Sequence, residues 1–197
     1  MGGMSEPMVL VHEDSASWKE QHRALTAAGH RVVPFAGDGP DELADCLEQM
    51  SATGCVLIGA AVGTGTVVRY LSGHGSGRVR KAVLIGAVPP FLTRSGDNPE
   101  GLDAAALAVT RSRLGGGATL VDSVVGTDYR DDLPRIDVPV LLLHGDADTV
   151  LPIDATAHRL PGLIPDLRYE VIPDGPYDLG RARPEAVNRY LLDWVAS

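Results

Sequence analysis

Lysine is scarce in this chain: Lys19 and Lys81 are the only two, and 17 basic side chains face 26 acidic ones, for a formal net charge of −9. A surface of that sign repels polyanions, so neither nucleic acid nor an anionic membrane is expected as a partner. Cysteine is almost absent as well. Cys46 and Cys55 each sit inside an apolar pattern, which suits buried thiols and supplies neither a disulfide framework nor a metal-ligand spacing. Apolar runs stay far below the roughly 18 to 20 residues that cross a bilayer. The opening segment MGGMSEP has no basic stretch before an apolar core, and Ser5 falls one position early for myristoylation. A cytoplasmic chain is the expectation. The six histidines, at 12, 22, 30, 74, 144 and 158, include no pair at helical ligand spacing, so neither a metal nor a cofactor is expected.

What the chain does have is apolar sequence in a regular order. At 197 residues and 44% hydrophobic, it has the size of one domain with one sizeable core. Strand-length apolar runs fall at Met8 to His12, Arg31 to Phe35, Gly54 to Ala60, Lys81 to Ala87, Pro139 to Gly145 and Leu167 to Ile172. Helical patterns separate them, at about Ser17 to Ala28, Pro40 to Ser51, Gly63 to Gly73, Asp154 to Leu160 and Pro184 to Val195. In the second helix Leu43, Cys46, Leu47 and Met50 make one apolar face. Alternating strands and helices imply right-handed crossovers and a parallel sheet. One connection, Pro89 to about Arg135, is long and carries no strand pattern. Residues 103–114 could form a helix within it before Gly115, Gly116 and Gly117 interrupt.

The stretch VLIGAAVGTGTVVRYLSG, residues 56–73, is a strand, a Gly-rich turn and a helix. Such a turn holds a phosphate or presents a catalytic serine. A phosphate loop needs a lysine that is missing here, and a dinucleotide fingerprint starting at Gly63 would need glycine in place of Val68.

Residues 63–92, 97–103 and 127–153, with a weaker match over 8–33, together resemble the α/β-hydrolase fold. Within it they are nearest the cofactor-free chloroperoxidase, arylesterase and perhydrolase group. The most specific segment is TDYRDDLPRIDVPVLLLHGDADTVLPI. The resemblance implies a minimal α/β three-layer sandwich over residues 1–197, with six parallel strands in the order 2-1-3-4-5-6 and a reduced lid at about 90–134.

The same resemblance assigns positions in the site. The family's Gly-x-Ser-x-Gly elbow corresponds to Gly59, Ala60, Ala61, Val62 and Gly63, with Ala61 where the serine would stand. Alanine has no lone pair, so no acyl-enzyme forms there. The family acid corresponds to Asp148 in GDADTVLP. Its histidine partner should lie in IPDGPYDLG, where Tyr177 or Asp178 takes its place. The oxyanion loop corresponds to HEDSASW, residues 12–18, where Glu13 replaces glycine and puts negative charge where an anion would need stabilising.

Nucleophile, base and oxyanion loop thus depart together, which argues against serine hydrolysis or perhydrolysis. Ser76 and Cys55 belong to the opposite end of the sheet, and Thr64 has no base. The expectation is a non-hydrolytic protein binding a small organic molecule in a pocket of His12, Asp14, Ala61, Val62, Tyr177 and Asp178. Other acids reach the same edge at Asp38 and Asp146. Three alternatives stand beside it. Glu13 and Asp148 could act as an acid/base pair for cyclisation, elimination or hydration. A shortened lid could expose an apolar face to a partner protein or a second copy of the chain. An unrecognised nucleophile could preserve hydrolysis.

Overall fold

The computed structural model describes residues 6–11, 18–37, 39–114 and 118–197. Six parallel strands form one sheet: β1 (Met8–Val11), β2 (Val32–Phe35), β3 (Cys55–Ala60), β4 (Val79–Ile85), β5 (Val140–Gly145) and β6 (Leu167–Ile172). Their spatial order is 2-1-3-4-5-6, as the resemblance implied. Because side chains alternate along a strand, each strand feeds two cores. Val9, Val11, Leu57, Leu84 and Leu142 face one, and Met8, Leu10, Val56, Ile58, Val83 and Leu143 face the other.

Helices close both faces. The first core is covered by α2 (Pro40–Gln49), through Leu43 and Leu47, and by α3 (Val62–His74), through Val67, Val68 and Leu71. The second is covered by α1 (Lys19–Ala27), through Leu25, and by α7 (Pro184–Ala196), through Val187, Leu191 and Trp194. The edges carry edge chemistry. Pro34, which lacks a donor, sits in β2, and Arg168 pairs with Glu170 on β6. No described helix is long and apolar enough to cross a membrane.

The connection between β4 and β5 holds α4 (Ala104–Arg113), capped by the Asp103 carboxylate accepting from the Ala106 N–H at 2.9 Å, and α5 (Ala118–Gly126). The first matches the expected helix. The second has no counterpart in the sequence reading, because its β-branched residues have weak helix propensity. Packing supplies what propensity does not: Val121, Val124 and Val125, at i, i+3, i+4 spacing, are buried in the first core.

The helix expected from Asp154 to Leu160 is a correction. Two separate 3-10 turns stand there, Ile153–Ala155 and Ala157–Arg159. Thr156 breaks the run at φ −131°, ψ −94°, and its hydroxyl donates back to the Pro152 carbonyl at 3.0 Å. A short helix α6 (Leu179–Ala182) also follows β6 before α7 begins.

Candidate functional site

The strand β3 ends at Ala60 and α3 starts at Val62, so Ala61 alone makes the reversal, at φ 47° and ψ −119°. A residue with a Cβ held in such a conformation costs of order 1–3 kcal/mol and persists only where its surroundings over-determine it. Here they do. A Cβ on Gly59 would lie 2.8 Å from the Gly63 carbonyl oxygen, so only glycine lets strand and helix meet this closely. The Ala61 N–H donates to the Ile85 carbonyl on β4 at 3.0 Å. The Thr64 hydroxyl donates to the Ala61 carbonyl at 2.6 Å and accepts the Val88 N–H at 3.0 Å. Thr64 is fully buried, and its hydroxyl pins the turn. Ala61 itself is only 6% exposed and Val62 2%.

Asp148 lies in the loop after β5, with its side chain 1% exposed. One carboxylate oxygen, Oδ1, accepts the N–H groups of Val150 and Leu151, each at 2.8 Å. Burial pushes the carboxyl up from 3.8 to about 6, against the opposing pull of those two donors. Its neighbour His144, also fully buried, is pushed down from 6.5 to about 4 by desolvation. The His144 Nδ1 accepts the Ala87 N–H at 3.3 Å, which fixes the proton on Nε2, and Nε2 donates to the Leu151 carbonyl at 2.8 Å. The Asp148 Oδ2 stands 3.5 Å from that Nε2, a spacing that would suit an ion pair. Burial drives both groups toward their neutral forms and the Nε2 proton is directed at Leu151, so the contact is polar and His144 is uncharged at neutral pH.

The turn after β6 is laced to the same loop. A Cβ on Gly145 would run into the Gly175 carbonyl, and the Ala147 N–H donates to that carbonyl at 3.1 Å. The Asp146 Oδ1 accepts the Asp174 N–H at 2.7 Å, so Asp146 is a loop tie and not a free acid. Tyr177 is half-buried against the first core, and the Asp178 carbonyl opens α6 by accepting the Ala182 N–H at 2.8 Å. The fold therefore brings Ala61, Val62, Asp148, Tyr177 and Asp178 to one edge, at the carboxyl ends of β3, β5 and β6. His12, Glu13, Asp14 and Asp38 lie outside the described residues, and the expected Glu13–Asp148 pairing lies there with them.

No protein-family model matches the chain. A Synechocystis sp. protein assigned as a non-heme chloroperoxidase is 34% identical over 254 aligned positions, covering 98% of this chain and 92% of the relative. The chain belongs to the non-heme chloroperoxidase family of α/β-hydrolases. A non-heme chloroperoxidase of Kitasatospora aureofaciens is 27% identical, covering 98% of this chain and 93% of its own. Among solved structures, a bromoperoxidase from Bacillus anthracis superposes with a TM-score of 0.86 at 27% identity, over 99% of this chain and 93% of that one. Those 254 aligned positions exceed the 197 residues present here, so the Synechocystis relative carries segments without counterpart in this chain.

Within this chloroperoxidase-family chain the decoy residues have structural roles. Cys55 opens β3 fully buried, and burial pushes its thiol up to about 12. Ser76 sits in the turn before β4, its carbonyl accepting the Val79 N–H. Among the described residues no group of three His, Cys, Asp or Glu side chains could hold a metal ion. A cavity of about 360 Å³, lined by Pro34, Phe35, Gly37, Glu42, Asp45 and Cys46 among others, opens at the carboxyl end of β2 and shares no lining residue with the elbow.

Two organising residues escaped the sequence reading. Asn98 is fully buried and donates to the carbonyls of Phe91 (3.0 Å) and Thr93 (2.7 Å), while Arg159 donates to its Oδ1 and to the Phe91 carbonyl. Arg130 bridges Asp97 and Asp128 at 2.8 and 2.6 Å. Together they hold the two ends of the β4–β5 insertion. The sequence signals for them were the segments DNPEGLD and TDYRDD, both taken as family likeness alone.

Proposed function

We propose that this chain is a non-hydrolytic member of its family that holds a small organic molecule, bearing a carbonyl or carboxylate, beside the elbow under a reduced lid formed by the β4–β5 insertion. The observation that carries this is Ala61: a methyl group occupies the φ 47°, ψ −119° position from which the family resemblance would have a serine project. Backbone N–H groups at the start of α3 remain as donors for a ligand oxygen. The nearby Thr64 hydroxyl is spent on Ala61 and Val88, and the segment 172–180 contains no histidine, so neither replaces the missing pair.

The test is threefold. A serine-directed fluorophosphonate should label no residue, and labelling anywhere would overturn the reading. Ala61→Ser alone should leave p-nitrophenyl acetate unhydrolysed, since a hydroxyl without a base is not activated. Native mass spectrometry of the purified chain should show a stoichiometric small molecule that Ala61→Trp, which fills the elbow, excludes.

One observation favours a second reading. Asp148 is a buried carboxyl raised to about 6, suited to giving and taking protons near neutrality. Proton-transfer chemistry on the bound molecule would then be lost in Asp148→Asn and Glu13→Gln, and unchanged turnover in both would remove this alternative. A partner-protein role has less support. Among the described residues the exposed large apolar side chains are Val109 and Val171, on α4 and β6, which is not the signature of a docking patch.

A further inference from the structure

The helix α4 packs against α5, and α5 in turn packs against α3, the helix that the elbow opens. Leu107 on α4 and Val124 on α5 belong to the same core cluster as Val62 and Val88. Ala61 and Asp148 are each 6% exposed. A molecule of the kind proposed above reaches the strand ends only when something packed around them moves.

Hydrogen bonds show where movement is resisted. The base of the insertion is held at many points: the Tyr129 N–H on the Pro90 carbonyl, the Leu102 N–H on the Leu92 carbonyl, Asn98 on Phe91 and Thr93, and Arg130 across Asp97 and Asp128. For α4 itself, the described hydrogen bonds to the strand-end loops are two. At the surface, the Arg113 Nη1 donates weakly to the Thr149 hydroxyl at 3.4 Å. In the interior, the Thr110 hydroxyl donates to the Val150 carbonyl at 2.6 Å, and Thr110 is 1% exposed. The adjoining Val150 N–H is one of the two that the Asp148 Oδ1 accepts.

We propose that α4 is a movable cover over the strand-end site, and that the Thr110–Val150 hydrogen bond is its latch. A buried threonine hydroxyl meets its need by donating to the i−3 or i−4 carbonyl of its own helix at no tertiary cost. Thr110 instead reaches across 40 residues of sequence to the loop that carries Asp148. The latch thus ties the cover to the side of the site a ligand would occupy, and a ligand contacting that loop would bias the cover toward closure. This inference rests on the reading that the strand ends are the ligand site.

The test needs no ligand. In an Ala61→Cys background, the rate at which iodoacetamide alkylates the introduced thiol reports opening above the elbow, and peptide mass spectrometry reads Cys46 and Cys55 in the same sample. Cys55, fully buried in β3, reports global unfolding. Adding Thr110→Val should raise alkylation at position 61 about tenfold, the fold-change for losing a buried hydrogen bond worth roughly 1.4 kcal/mol, and position 61 should stay far more reactive than Cys55, whose own rise follows from the same loss of native stability. Thr110→Ser, which restores the hydroxyl, should return the rate to that of the background. An unchanged rate in Thr110→Val, a rate at position 61 no faster than that at Cys55, or no rescue by serine would each overturn the latch. Failure here with a ligand still seen in native mass spectra would remove the latch alone. A responsive latch with no ligand retained would remove the binding reading alone.

Discussion

Replacing Asp148 by asparagine tests the electrostatics of the site most directly. In the folded chain the carboxyl titrates at about 6, against 3.8 ordinarily, because burial disfavours its charge. A carboxyl whose folded pKa is raised stabilises the fold at low pH and loses that contribution as pH rises from the unfolded value through the folded one. The window is therefore about pH 4 to 6, and a shift of this size corresponds to about 3 kcal/mol, which wild type forfeits above it. His144 works in the opposite sense over nearly the same range. Held down to about 4, it costs stability as pH falls from 6.5 toward 4, so in wild type the two contributions largely offset.

Asparagine keeps an Oδ1 for the Val150 and Leu151 N–H groups and carries no charge to bury. Urea unfolding of both proteins at half-unit steps from pH 4 to 8 should show Asp148→Asn more stable by up to about 3 kcal/mol above pH 6.5, the gap closing as pH approaches 4. The variant should also lose stability steeply between pH 6.5 and 4, where His144 now acts unopposed. A stability difference that does not vary with pH, or a variant weaker than wild type above pH 6.5, would refute the assignment of a buried, reluctantly ionised Asp148.

Three further substitutions probe the elbow and its supports. Thr64→Val keeps the shape of the side chain but strands the Val88 N–H and leaves the Ala61 carbonyl only its bond from the Thr64 N–H; it should cost about 2 kcal/mol in urea unfolding, with Thr64→Ser near wild type. Asn98→Ala removes the donors to Phe91 and Thr93 and one acceptor of Arg159, and a loss of about 2–4 kcal/mol is expected, together with faster amide exchange across residues 91–102. Gly145→Ala would drive a methyl into the Gly175 carbonyl, where backbone and not a side chain must give way; thermal melting should show a loss beyond about 4 kcal/mol or failure to accumulate folded protein.

Much of this architecture was legible because it depends on local pattern. The strands announce themselves as apolar runs, and the third helix follows its strand through Gly59 and Gly63, whose spacing betrays the elbow. The misreadings have a common cause. The segment Asp154–Leu160 has helical composition, yet Thr156 turns its hydroxyl onto Pro152 and splits the segment in two. The helix α5 looked like loop because valine is a poor helix former, and its helical state follows from burial against α3. Asn98 drew no reading of its own, because its main partner outside its own loop, Arg159, lies 61 positions away.

The sequence by itself determined the order of the six strands along the chain, the close-packed turn at Gly59 and Gly63, and the absence of a hydroxyl at position 61 and of a histidine between 172 and 180. Those are matters of covalent composition and short-range pattern, which no fold can alter. Only the tertiary structure decided what the remaining polar groups are for. Asp148 is reluctant to ionise because the chain buries it, His144 is neutral because burial disfavours its charge while Ala87 and Leu151 fix which nitrogen carries the proton, and Thr64 is no nucleophile because Ala61 and Val88 already use its oxygen. Each of these depends on desolvation and on partners set in place by folding, many of them distant in sequence, and neither is written in the identity of the residue concerned.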